Sequence, residues 1–320
     1  MFEIARFAAT VTIPCFIIVF LGWLLKRRQV IDDAFITTGS KIIFNIALPT
    51  LIFLSITQNN ITEIIDVPQV TFGLAATFVG FLAIWIISGR VGVSAYNRGV
   101  FVQASFRGNM GIIGLALCQN MYGTEGLAIG AILLAFLTLL YNVLSIVSLT
   151  LAAHQDRSEG THALNLSRVF TDIVKNPLII SIVLALMVSY LHLNIPPVLK
   201  QSAAYFANMT LPLALLCVGG SISLQALRSS SALSAWALAL KLMILPFSFT
   251  LAGFVLGLQG VLLGTLFLMF ASPTATVSFV MVKAIGGNAE LAANIVALST
   301  ICSVLTISLG IFAGLLFGVF

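Results

Sequence analysis

Charged side chains are scarce in this chain. They make up 8% of its 320 residues, whereas soluble domains carry roughly 25%. Hydrophobic residues make up 60%, and the mean hydropathy is +1.13. This composition excludes an ordinary soluble domain and indicates an all-α polytopic membrane protein. Apolar runs of about 20 residues can each cross a ~30 Å hydrocarbon core. We predict ten such transmembrane helices, approximately at 7–25, 36–57, 68–89, 99–121, 126–153, 173–192, 198–223, 231–257, 260–284 and 289–317.

Acidic residues and histidines are absent from the middle of every predicted span. The ten carboxylates all lie in predicted loops or at helix ends, and the three histidines lie in connecting segments or at a helix end. Proton relays in membrane proteins usually run through such side chains at membrane depth. The sequence therefore predicts that no side-chain proton relay operates here.

Motifs of catalysis and of nucleotide-driven pumping are also missing. The chain contains no H-E-x-x-H, no G-x-x-x-x-G-K-[ST] and no nucleophile elbow, so neither intramembrane hydrolysis nor ATP-driven pumping has residues to perform it. Four cysteines lie inside predicted spans without metal or redox spacing, which favours buried apolar roles. We expect no enzymatic activity, no cofactor and no dedicated metal site, and the coupling ion is left open.

The positive charges are distributed unequally between the predicted loops. With the N-terminus outside, eleven Lys and Arg residues fall on the cytoplasmic side, and only Arg6 and Lys200 fall outside. The positive-inside rule then predicts that both termini of this cytoplasmic (inner) membrane protein are external. This distribution also explains the net charge of +5 without a nucleic-acid partner.

The two halves of the chain resemble each other. Asn45-Ile-Ala-Leu-Pro49 returns 163 residues later as Asn208-Met-Thr-Leu-Pro212, and Pro14 and Pro177 have the same separation. Such a register predicts a transporter built from structural repeats. We predict a first repeat at 1–153, a cytoplasmic linker at 154–172 and a second repeat at 173–320. Because five spans per half is an odd number, the second repeat must be inverted.

The fourth and ninth predicted spans carry residues that are unusual inside a membrane. Arg107, Gly108 and Asn109 stand near the middle of the fourth, and Pro273 should break the ninth. Broken helices at equivalent positions of inverted repeats mark substrate sites, since their free N–H groups attract anions. Tight packing would explain the glycines alone, but not Arg107. The predicted substrate ligands are Arg107, Gly108, Asn109, Ser272, Pro273, Thr274, Asn45 and Asn208, with Thr276, Pro49 and Pro212 as secondary candidates.

A second symmetric pair consists of Asn45 with Pro49 and Asn208 with Pro212. Each proline frees the carbonyl four residues upstream, which belongs to the asparagine. The asparagines either line the substrate cavity, coordinate a cation through oxygen, or hydrogen-bond across an ordinary proline kink. Lys241 in the eighth span is another secondary candidate, which either snorkels, pairs with a carbonyl or adds positive potential. If sodium binds, the candidates are Asn45, Asn109, Asn208 and Thr274.

Two long motifs resemble a known family. The segment from Phe106 to Leu117, FRGNMGIIGLAL, resembles the fourth-helix signature of the auxin efflux carrier family. The segment ASPTATVSFVMVK from Ala271, followed by GGNAELA from Gly286, resembles its ninth- and tenth-helix signature. The resemblance implies ten helices in inverted repeats, a fold shared with bile acid:sodium symporters, with helices four and nine crossing at the substrate site. One departure is Ala116, where family members often have proline.

We therefore expect a bacterial-type secondary transporter of a small organic anion, such as an auxin- or malonate-like carboxylate, working by alternating access at the crossing. The alternatives are a sodium-coupled, bile-acid-like symporter and a non-transporting receptor that uses the same site. Expected partners are the lipid bilayer and the anion, and the choice between a monomer and a homodimer is left open.

Overall fold

The computed structural model of the chain describes residues 1–59, 65–156, 175–223, 231–285 and 287–320. Their regular structure is helical, with one isolated β-bridge. The helices are α1 (Phe2–Arg27), α2 (Asp33–Ile42), α3 (Leu48–Thr57), α4 (Val67–Arg90), α5 (Ala95–Phe106), α6 (Leu115–Asp156), α7 (Pro177–Tyr190), α8 (Pro197–Gly220), α9 (Ala232–Ala239), α10 (Leu245–Val255), α11 (Gly260–Ala271), α12 (Thr276–Ile285) and α13 (Ala289–Leu316). Short π-helical turns occupy Ile43–Ala47, Met110–Gly114 and Leu240–Ile244.

Seven helical segments of the described chain are long and apolar enough to cross a membrane. Two shorter apolar helices, α7 and α11, accompany them. Large apolar side chains such as Ile17 and Phe20 on α1 are exposed, as lipid-facing side chains should be. The protein is thus an all-helical polytopic membrane protein, as predicted, whereas the count of ten spans stays a prediction.

Two of the π-helical turns each end two residues before a proline. Pro49 follows the turn Ile43–Ala47, and Pro246 follows the turn Leu240–Ile244. Because proline has no N–H to donate and its ring displaces the carbonyl four residues upstream, the regular α ladder cannot continue through it. A π-helical turn absorbs this mismatch without ending the helix. Asn45 and Lys241 both lie within such turns.

Some pairs of residues in the sequence repeat occupy similar structural positions and others do not. Gly123 and Gly287 correspond at an offset of 164 residues, and Gly123, with φ of 64°, interrupts α6 while Gly287 lies just before α13. By contrast, Pro14 lies inside α1, while Pro177 begins α7. Of the predicted linker 154–172, residues 154–156 continue α6, and the rest lies outside the described residues.

Close helix contacts surround the buried middle of the molecule. Helix α1 packs along α8, where Gly22 and Gly219 bring the two backbones together so tightly that neither position has room for a Cβ. Helix α6 packs against both α5 and α11. The ends of α5 and α11 are therefore enclosed by protein, and the candidate functional site is built around them.

Candidate functional site

Two helices are interrupted in the centre of the fold. Helix α5 ends at Phe106, and helical structure resumes at Met110. Helix α11 ends at Ala271, and α12 begins at Thr276. The interruption predicted at Pro273 is therefore present. We call the two non-helical segments, 107–109 and 272–275, the crossover.

Backbone hydrogen bonds join the two segments of the crossover. Gly108 and Thr274 form an antiparallel β-bridge. In it the Asn109 amide donates to the Pro273 carbonyl (2.6 Å), and the Ala275 amide donates to the Arg107 carbonyl (3.1 Å). Thus backbone groups that lack helical partners at membrane depth are satisfied within the protein, as they must be.

Side chains complete this crossover. The Thr274 hydroxyl donates to the Ala104 carbonyl at the end of α5 (2.8 Å), and the Thr274 amide donates to Ser299 Oγ (3.1 Å). The Ser272 hydroxyl donates to the Met269 carbonyl (2.7 Å). Ser272, Pro273 and Thr274 are all buried. These three predicted ligands hydrogen-bond within the protein, and Pro273 and Thr274 join the two broken helices. They do not line the cavity beside Arg107 that is described below.

The Arg107 guanidinium is buried, with 7% of the residue exposed. It donates to Asn142 Oδ1 (2.8 Å) and Ser145 Oγ (2.9 Å) on α6. It also contacts Met281 Sδ at 3.1 Å. All three partners are neutral, so the hydrogen bonds orient the guanidinium and leave its positive charge uncompensated.

A cavity of about 260 Å³ opens beside Arg107. We call it the inner cavity. Arg107, Gly108 and Asn109 lie in its wall, and so does Asn45. The remaining polar lining side chains are Thr138, Tyr141, Asn142 and Asn176.

Two helix N-termini also reach the inner cavity. Met110 and Gly111 begin the helical segment that continues into α6, and Ala275 and Val277 flank the first residue of α12. The first N–H groups of a helix have no intrahelical partner, and the helix dipole places partial positive charge there. Arg107 and both N-termini therefore give the cavity a positive potential.

The glycines near the crossover have different roles. A Cβ on Gly108 would lie 2.5 Å from Ser272 Oγ and 3.0 Å from Lys241 Nζ, and one on Gly114 would lie 2.9 Å from Met269 Sδ. Gly111 faces the cavity, where the nearest atom to a Cβ would be 3.7 Å away. Close packing, the alternative weighed from the sequence, therefore accounts for Gly108 and Gly114.

Lys241 also reaches the crossover. Its ammonium group donates to the Phe270 carbonyl in the last turn of α11 (2.6 Å), and 1% of the residue is exposed. Of the alternatives that the sequence left open for Lys241, the structure supports pairing with a carbonyl. Thr276, the other secondary candidate near this point, begins α12 and is half-buried.

Asn45 and Asn208 lie in different cavities. Asn45 is exposed in the inner cavity. Asn208 and Pro212 line a second cavity of about 390 Å³ between α1, α3, α6 and α8, which we call the outer cavity. Pro49 is buried in α3. The outer cavity has neutral polar residues in its lining: Ser55, Gln58, Gln119, Asn120, Thr124 and Asn208.

The sequence reasoning missed the face of α6 that lines the inner cavity. Thr138, Tyr141, Asn142 and Ser145 have the i, i+3, i+4, i+7 spacing that places residues on one helical face. A polar face inside a strongly apolar span was the signal that could have revealed them. It indicates a surface that faces protein or a cavity rather than lipid.

No carboxylate is buried among the residues whose side chains the structure describes. Arg107 and Lys241 are the buried charged residues of that part. A salt bridge joins Lys26 and Asp33 near the α1–α2 connection. The residues that the structure describes contain no group of three or more His, Cys, Asp or Glu that could hold a metal ion. The membrane interior of the described chain is therefore cationic.

Comparison with known proteins identifies the family. A family model described as "Membrane transport protein" matches residues 7–311. An uncharacterized transporter of Methanocaldococcus jannaschii is 26% identical over 92% of this chain and 94% of its own length. A Rhizobium meliloti protein named "Putative malonate transporter" is 24% identical over 92% of both chains. An uncharacterized transporter of Escherichia coli strain K12 is 24% identical over 82% of this chain and 83% of its own. The chain therefore belongs to the auxin efflux carrier family of membrane transport proteins.

Proposed function

We propose that this protein is a secondary transporter that moves a small organic anion across the membrane through the crossover. The observation that carries the proposal is the Arg107 guanidinium, which lies in a cavity wall and is hydrogen-bonded only to neutral groups. A cation at membrane depth costs at least ~2.5–3.5 kcal/mol unless a partner or a cavity compensates it. A carboxylate in the inner cavity would supply the missing negative charge.

The inner cavity favours a small anion. Its volume of about 260 Å³ is below the roughly 300–1,000 Å³ of sites for drug-sized ligands. Two helix N-termini can donate N–H groups to carboxylate oxygens, while Asn45 and Asn109 can add neutral hydrogen bonds. A short carboxylate or dicarboxylate fits this chemistry, and one relative carries malonate in its name.

Two separate cavities, of which only the inner one is lined by crossover residues, support alternating access. The inner cavity touches the beginning of α7 at Asn176, whereas the outer cavity touches the end of α3 at Gln58. We propose that the anion passes between these cavities when one group of helices moves against the other. Arg107 would bind the anion in the inner cavity, and Asn208 and Asn120 would contact it in the outer cavity.

We also propose ten spans in two inverted repeats, with both termini outside. Helix α11 has 12 residues, or about 18 Å, so it needs α12 to cross a ~30 Å core. Likewise α5 needs the helical segment beginning at Met110, and the kink at Gly123 divides that segment from the rest of α6. The two helical segments on either side of each interruption then count as one span, which gives the predicted ten spans.

Arg107→Gln tests the proposed function. In proteoliposomes loaded with a short dicarboxylate such as malonate, we expect flux to fall about 10- to 100-fold, since a charge-assisted hydrogen bond contributes ~1.5–3 kcal/mol. Arg90→Gln removes an exposed arginine at the end of α4 and should leave flux unchanged. Thermal unfolding of both variants checks that they are folded.

The outcomes separate the alternatives. If the Arg107→Gln variant moved the anion as fast as the wild-type protein, the proposed anion site would be wrong. Carboxylate binding without flux in the wild-type protein would indicate a receptor, and flux that requires a sodium gradient would indicate a symporter.

A further inference from the structure

Lys241 is a buried ammonium group without a described carboxylate partner. The Lys241 residue is 1% exposed, and its Nζ donates to the Phe270 carbonyl at 2.6 Å. The π-helical turn before Pro246 carries it. A lysine in this position stays buried only if something in the fold requires the charge, because an apolar side chain would cost less.

The C-terminal end of α11 is the part of the fold that requires a positive charge. In an unbroken helix the amide of residue 274 would donate to the carbonyl of Phe270, but here the Thr274 amide donates to Ser299 Oγ. The Phe270 carbonyl is therefore one of the free carbonyls at a helix C-terminus, where the dipole concentrates negative charge. Such a carbonyl at membrane depth needs a donor or a cation.

Lys241 also lies beside the crossover segment 107–109. A Cβ added to Gly108 would be 3.0 Å from Lys241 Nζ and 3.4 Å from its Cε. The ammonium group thus binds the end of α11 and lies beside the bridge residue Gly108. Lys241 occupies the point where a bound cation could otherwise neutralise the broken helix.

We propose that Lys241 is a built-in counter-ion of the crossover, which holds the end of α11 against Gly108 and takes the place of a bound metal cation. Lys241 is a positioning residue here, because it contacts backbone rather than the inner cavity. The proposal deepens the proposed transport function but does not depend on it for its main test, which measures stability. It predicts that the crossover needs no sodium ion.

The test measures the thermal unfolding of purified protein in sodium, choline and methylammonium chloride at equal ionic strength. Wild-type protein should unfold at the same temperature in all three salts. Lys241→Met keeps most of the side-chain volume and removes the charge, so its Tm should fall by about 5 °C. The Tm of Lys241→Ala should fall at least as far. It should recover in methylammonium but not in choline, because only the smaller cation fits the space that the lysine side chain left. Lys283→Met, which changes an exposed lysine of α12, is the matched control and should have the wild-type Tm.

Three results would overturn the proposal: a wild-type Tm that rises in sodium, a Lys241→Met variant as stable as the wild type, or a Lys241→Ala variant that does not respond to methylammonium. If the neutral variants do not fold, Lys241→Arg decides, because it keeps the charge. A Lys241→Arg variant that folds would support the role of Lys241 as a counter-ion. A Lys241→Arg variant that fails to fold, as the neutral variants do, would contradict it. Failure of the protein to move any anion would contradict the proposed function and leave these stability results unaffected.

Discussion

Single residues at the crossover determine how closely its two segments approach. Gly108 faces Ser272 Oγ and Lys241 Nζ without space for a methyl group, whereas a Cβ on Gly111 would make ordinary van der Waals contacts, the nearest at 3.7 Å. Substitutions of these two glycines, three residues apart, by alanine should therefore have different effects, although both add the same methyl group. The contrast separates a role in packing from a role in the cavity.

Gly108→Ala should lower stability, because crowding in a packed interior costs about 1–3 kcal/mol. Gly111→Ala should keep or raise stability, since alanine favours helix more than glycine does, while reducing the inner cavity and slowing flux of the larger anions. Thermal unfolding and proteoliposome flux of both variants check this. Equal stability of the two variants would show that the contacts of Gly108 are relaxed in the membrane.

At the scale of helices, the broken ends are connected by a few hydrogen bonds rather than by a continuous ladder. Thr274 makes two of these bonds, one to the end of α5 and one to α13. Its hydroxyl is fully buried. The bond to α13 comes from the backbone amide and the bond to α5 from the hydroxyl, so a change of side chain should remove only the bond to α5.

Thr274→Val keeps the shape of the side chain and leaves the Ala104 carbonyl without its donor. We expect a loss of about 1–3 kcal/mol, the cost of an unsatisfied buried acceptor. Thr71→Val is the matched control, because the Thr71 hydroxyl is exposed and donates to the Val67 carbonyl of its own helix. Unfolding temperatures of the two variants provide the comparison, and similar losses in both would argue against a special role for Thr274.

At the scale of the whole molecule, the arrangement in the membrane follows from the distribution of charge. The connection between α1 and α2 lies next to Lys26 and Arg27, whereas the connection between α10 and α11 contains no Lys or Arg. From the positive-inside rule, we expect the first to face the cytoplasm and the second to face the outside.

Cysteine labelling tests this orientation. In a protein whose four native cysteines are replaced by alanine, Gln259→Cys should react with a membrane-impermeant maleimide added to intact cells. Gln29→Cys should react only after permeabilisation. Both glutamines are exposed, so access to the reagent depends on the membrane. The reverse labelling pattern would show that the protein has the opposite orientation in the membrane.

The sequence by itself determined the class of the protein and the location of the interruption at Pro273. These features depend on local chemistry: apolar runs partition into lipid, and proline lacks the N–H that a continuous helix needs. Arg107 was likewise identified from the cost of a charge in an apolar span. Such signals need no knowledge of the neighbouring helices.

Only the tertiary structure decided which side chains meet. It brought Lys241 to the end of α11, oriented Arg107 with Asn142 and Ser145 of α6, and separated Asn45 from Asn208 into two cavities. These contacts join residues far apart in the chain. They depend on helix rotation and on the π-helical turn before Pro246, which an apolar pattern without strong periodicity does not specify.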